Sequence, residues 1–249
     1  MIDHRDKNER SPRWVFLLYL CDDHELLHSD SPRELLDTKL VDAISEISDV
    51  KNLKSSIDVI YQYDSFSDLD RDKLASGQDE ALQDDMHCAL RHLSWRNNCW
   101  EEVNADEYKY ANTGDVNLLT QFFDWGSGAI EKADHVALIF SGLGVGDKGS
   151  RQKQTDPNGD YEQIFSICDD LSAKDALNPT ELREALQYLV REYRDTEPID
   201  LLGFDMSSMQ FIEVAHQFSH LAEVRIASHN NQRFPCWPYG ELLLSLIHI

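Results

Sequence analysis

Ile199–Glu213, IDLLGFDMSSMQFIE, decides the fold: an apolar strand ends in a turn of small and polar residues and runs straight into a helical pattern. A second apolar run, His135–Ser141 (HVALIFS), stops in the same way, in Gly142-Leu143-Gly144-Val145-Gly146. Trp14–Leu20, Ile57–Tyr63 and Val224–Ser228 repeat the pattern of short runs of aliphatic and aromatic residues bounded by polar residues or glycine, which reads as strand. In an open parallel sheet, ligands and reacting groups sit just past the carboxyl ends of the strands. The ends after residues 141 and 205 are therefore the candidate site.

Between these runs the periodicity is helical. Pro32–Ile47 places apolar residues at 35, 36, 40, 43, 44 and 47, one face of a helix. Asn178-Pro179-Thr180-Glu181 is a helix start, with Asn as N-cap, Pro at the first helical position and Glu two further on. Helices are also expected over Leu82–Leu93 and Ser208–His220, and surface loops over Ser65–Asp85 and the glycine-rich Gly144–Asp160. Strand–helix alternation predicts an α/β fold, a mostly parallel sheet with helices on both faces. With no repeat and no linker, residues 13–243 are expected to form a single domain behind a tail over 1–12.

Apolar residues make up 41% of the chain, enough for a substantial core. Its net charge of −23 argues against a nucleic-acid partner, which demands cationic surface, and against an anionic membrane. It suits a basic peptide or protein ligand, a salt-rich habitat or simple solubility. Five scattered cysteines without a CxxC form neither a disulfide framework nor a zinc cluster. The start, MIDHRDKNERSPRW, is neither leader nor membrane span, so a cytoplasmic location is expected. The closing LLLSLIHI resembles the translated adapter tail of bacterial metagenomic reading frames. On that reading residues 244–249 are non-native and the chain is a fragment; an ordinary buried or amphipathic end is the alternative.

Taken in order, WVFLLYLCDDHEL, IDVIYQYD, NTGDVNLLTQFFDWGSGAIEKADHVALIFSGLGVG, NPTELREAL, IDLLGFDMSSMQFIEVAHQF and PCWPYGELL resemble the clostripain family of cysteine peptidases. The GFDxxxM-x-x-IEVA block and the WPY segment are the most specific pieces. The resemblance implies a three-layer α/β/α sandwich with a caspase-like sheet and a His–Cys dyad. In that family the His stands in an HG dipeptide after one strand and the Cys in a DxC turn after the next. Those positions fall on Leu143, before Gly144, and on Ser207, two residues after Asp205. Leucine transfers no proton, and a serine hydroxyl is inert without a base. Gly144 keeps the place of the turn that stabilises the oxyanion.

The resemblance thus implies a peptidase fold without its machinery, a pseudopeptidase acting by binding or regulation. The alternatives are an active endopeptidase cleaving after Arg or Lys, and an acidic interaction module for basic partners. The histidines near the candidate site supply few replacements. His135 opens its strand at the opposite rim, and His216 and His220 lie about 13 and 19 Å along a helix from Ser207, at ~1.5 Å per residue. His229 follows the last strand on the correct rim and is the one conceivable base.

Asp205 would favour Arg or Lys in a substrate pocket by charge, as the resemblance implies, or cap the backbone of Ser207 and Ser208. Asp22 and Asp23, on the same rim, cap a turn or add negative potential. Asp156, Asn158 and Asp160 alternate as in a calcium loop, yet the glycine stands at the fourth position and Ile167 at the twelfth. A turn-rich acidic loop is the expectation there, with calcium the only cofactor to consider. Cys21 and Cys236 read as buried or inert thiols.

Overall fold

The computed structural model describes residues 12–21, 56–64, 91–96, 99–102, 112–142, 144–145, 166–170, 173, 175–230, 237–239, 241–242 and 245. Ten strands and three helices fall within them. The strands are β1 (Arg13–Cys21), β2 (Ser56–Asp64), β3 (Arg91–Arg96), β4 (Cys99–Glu102), β5 (His135–Gly142), β6 (Gly144–Val145), β7 (Ser166–Asp170), β8 (Asp175–Leu177), β9 (Ile199–Asp205) and β10 (Ala222–Ala227). The helices are α1 (Val116–Ile130), α2 (Pro179–Tyr193) and α3 (Ile212–Gln217). The expected tail over 1–12, apart from residue 12, the helix over Pro32–Ile47, the loop over Ser65–Asp85, and Asp22, Asp23 and Cys236 lie outside the described residues.

Seven strands form the main sheet in the order β10-β9-β5-β1-β2-β3-β4. The five from β10 to β2 are parallel, and β3 and β4 add an antiparallel edge. β1 is central, and from Trp14 to Cys21 no residue is more than 8% exposed. A parallel strand covered on both faces must read as a continuous apolar run, which is why this one is legible. Register is set along rows such as Ile60–Leu17–Leu138–Leu202, which lie on one face. Helices α1 to α3 pack on that face, with Phe122 against Tyr19 and Phe218 against Phe204 at ring separations of 5.7 and 5.8 Å. On the opposite face Phe16, Leu18 and Ile139 are equally buried, so both faces are covered, as three layers require.

The α2 start matches its reading in full. The Asn178 side chain accepts from the Thr180 and Glu181 N–H groups, and Glu181 reaches back to the Asn178 N–H, closing a capping box. Four other expectations need correction. Residues 91–93 belong to a strand rather than a helix: β3 and β4 are joined across Asn97-Asn98, a pair suited to a tight hairpin. The last strand starts at Ala222, two residues earlier than expected. Gly144 and Val145 are not loop but pair with Ile167 and Ser166 in a small sheet, β6-β7-β8. Finally, the helix expected from Ser208 begins only at Ile212 and ends at Gln217. The N–H groups of Ser208 and Gln210 donate instead to the carbonyls of Asn230 and Ser228, which draws the chain toward the neighbouring strand end.

Candidate functional site

Leu20, Ser141 and Asp205 stand side by side in one row across β1, β5 and β9, the last row but one before the sheet ends. Past it the chain turns sharply. Gly142 has φ +148, and a Cβ there would lie 2.3 Å from the carbonyl oxygen of Cys21, so only glycine fits. Gly144 returns against the loop that follows β9: a Cβ would meet the Met206 sulfur at 3.1 Å and the Met209 sulfur at 3.3 Å. Both methionines are 1% exposed. The two strand ends singled out in the sequence are thus packed against each other. Leu143, between the two glycines, lies outside the described residues.

Ser207 is half-buried on the turn after β9, followed by Ser208 at φ +60, a left-handed conformation unusual for a residue with a side chain. Because Ser208 and Gln210 bond to Asn230 and Ser228, the segment carrying Ser207 runs beside the one carrying His229. The His229 ring is exposed and lies 5.2 Å from that of Phe211. His216, on α3, and His220, beyond it, are also exposed. His135 occupies the opposite rim, where Nδ1 lies 2.6 Å from Asp200 Oδ1. Asp200 accepts further bonds from the Val136 N–H and from Arg194, a cluster that ties β5 to β9 far from Ser207.

Asp205 is 1% exposed. Its Oδ2 accepts the Tyr239 hydroxyl at 2.9 Å and the Trp237 N–H at 3.4 Å. The Trp237 ring covers Gly203, where a Cβ would fall 2.8 Å from two ring carbons. The GFD and WPY segments therefore interlock. This tie has a sequence signal, an isolated glycine among the bulky residues of β9, which marks close approach of another group.

Elsewhere, Tyr188 and Tyr193 both donate to Asp124 Oδ1, at 2.7 and 2.6 Å, and join α2 to α1. Both hydroxyls are pushed above the usual tyrosine value, Tyr188 chiefly by the bond to Asp124 and Tyr193 chiefly by burial. Burial likewise pushes the Arg225 guanidinium below its ordinary value. Cys21 and Cys168 are buried free thiols. Asp156, Asn158 and Asp160 lie outside the described residues. Among the described residues no cluster of three His, Cys, Asp or Glu could hold a metal, and no helix is long and apolar enough to cross a membrane.

The model of the clostripain family, peptidase C11, matches residues 36–248. The chain belongs to the clostripain family. Among curated proteins, none matches it. A secreted C11 cysteine protease from Bacteroides thetaiotaomicron, solved with an irreversible peptide inhibitor, shares its fold at 18% identity and a TM-score of 0.56, over 95% of this chain and 54% of that one. An inactive zymogen C11 protease from Parabacteroides distasonis matches at 18% identity and a TM-score of 0.54, over 93% and 52%. The secreted Bacteroides thetaiotaomicron protease iotapain matches at 16% identity and a TM-score of 0.59, over 95% and 58%.

At such identities the likeness is one of fold, and this clostripain-family chain spans little more than half the length of those proteins. The comparison corrects one expectation. The cytoplasmic assignment rested on the composition of the first residues, yet the fold is carried by a protease that is secreted. In a chain covering 54% of that protein, the opening residues are no guide to export.

Proposed function

We propose that this clostripain-family domain binds peptides without cleaving them. Leu143 and Ser207 at the dyad positions carry the proposal, set in a frame that otherwise keeps the family's design. Support comes from the packing of Gly144 on Met206 and Met209, which holds the two strand ends together where a peptide would lie. Loss of either dyad member costs orders of magnitude in rate, and loss of both leaves only binding and the oxyanion turn at Gly144. The ligand is a peptide or protein segment, biased toward cationic sequences by the net charge of −23, with binding that weakens as salt screens it. By analogy with the secreted relative, the domain works outside the cytoplasm.

The test compares hydrolysis of Arg- and Lys-terminated fluorogenic peptides by the chain as it stands and by Leu143→His with Ser207→Cys. Cleavage by the double variant alone is the expected result. Cleavage by the unaltered chain would overturn the proposal and favour a second reading, in which Ser207 is the nucleophile and His229 its base. The backbone bonds that lace 208–210 to 228–230 speak for that reading, and His229→Ala would then abolish the activity.

A further inference from the structure

In the family pattern Asp205 is offered to a cationic ligand, but its surroundings in this chain give it other work. The carboxylate is enclosed, and it holds the hydroxyl of Tyr239, itself 1% exposed, together with the Trp237 N–H. Across the row on β5, the Ser141 hydroxyl is buried with no hydrogen-bond partner, so the neighbouring strand makes no claim on Asp205. To meet a guanidinium, Asp205 would have to release a buried tyrosine hydroxyl with nothing to replace it, which is unfavourable.

We infer that Asp205 is a positioning residue: with Tyr239 and Trp237 it fastens the C-terminal segment to the end of β9 and so fixes the Met206–Ser208 turn. Three observations converge on this. Gly203 is the bare spot that admits the Trp237 ring, Asp205 is the acceptor for its N–H, and the next residues are held in a turn with Ser208 at φ +60. A strained turn persists only where its surroundings over-determine it, and this tie lies immediately before it. The inference rests on the proposed function for the location of the site at Ser207, but not on whether that site is silent.

The experiment uses Ser207→Cys as a reporter, with alkylation by iodoacetamide followed at residue 207 by peptide mass spectrometry. Tyr239→Phe and Asp205→Asn are each added to it, then both together. Each single change is expected to alter the alkylation rate by about threefold or more, the scale of one hydrogen bond, and the pair no further than either alone. Asn178→Ala, which destabilises the domain from a remote helix end, should leave that rate unchanged and so exclude a general loosening. In parallel, titration with an Arg-containing peptide should give the same affinity with Asp205→Asn to within about twofold.

An unchanged alkylation rate in both single variants would overturn the inference. So would a loss of about tenfold or more in peptide affinity confined to Asp205→Asn and absent from Tyr239→Phe, since about 1.4 kcal/mol would then belong to a ligand contact. Failure of the peptide to bind any variant would sink the proposed function alone, because the alkylation rates would still decide the role of Asp205.

Discussion

Gly142→Ala and Gly128→Ala make the same chemical change, and the structure gives them opposite signs. Gly128 lies in α1 with nothing within 4 Å of the position a Cβ would take. Alanine there removes conformational freedom from the unfolded chain and improves helix propensity, a gain of about 0.5–1 kcal/mol. Gly142 has φ +148, and its added Cβ would sit 2.3 Å from the backbone oxygen and 3.0 Å from the Cβ of Cys21. The conformation costs alanine about 1–3 kcal/mol, and relieving the overlap by shifting one strand end costs about 1–3 kcal/mol more. At about 2–4 °C per kcal/mol for a chain of this size, the expected changes are a rise of about 1–3 °C for Gly128→Ala and a fall of about 8–15 °C for Gly142→Ala. Thermal melts by circular dichroism, with urea midpoints at unchanged m-value, would measure both. A Gly142→Ala protein melting within about 2 °C of the parent would refute the tight turn, and with it the placement of the segment that leads to Leu143.

Asn178→Ala removes the capping box of α2 and should cost about 1–2 kcal/mol in urea denaturation, whereas Asn178→Asp should recover most of it. Gly203→Ala should displace the Trp237 ring; a loss of about 1–3 kcal/mol with a changed tryptophan emission is expected, and unaltered emission would contradict the contact. Because the Tyr188 and Tyr193 hydroxyls titrate above their unfolded value, the native state holds protons that the unfolded chain releases above about pH 10. Their contribution is complete below that pH and is lost as the pH rises further. Tyr193→Phe should therefore flatten the fall in stability between neutral and alkaline urea titrations, and an equally steep fall would refute the assignment.

The features legible from sequence were those with a local cause. β1, β5 and β9 are buried on both faces, so their apolar runs are unbroken, and α2 is punctuated by its own cap. β3 and β4 escaped because RHLSWR and CWEE carry charge on an antiparallel edge, where burial no longer dictates composition. β7 hides behind an irregular register, with Cys168 at φ +57 and Asp170 turned inward to the Thr113 N–H. The helical pattern after Ser207 was correct for Ile212–Gln217. Its first turn was lost to bonds with residues 228 and 230, which no periodicity announces. In the same way, the tie between Asp205 and Tyr239 joins distant segments, and the bare glycine at 203 was its only trace.

The register of β1, β5 and β9 has an evolutionary consequence. The last hydrogen-bonded partners are Cys21 with Gly142 and Ser141 with Asp205, and positions 143 and 207 begin only after them. No ladder and no core layer of the main sheet therefore selects the side chains found there. Such a scaffold can drift from one chemistry to silence, and back, through point changes that folding does not police. In a lineage built this way, activity is inherited separately from architecture, and a conserved shape is no guarantee of a conserved trade.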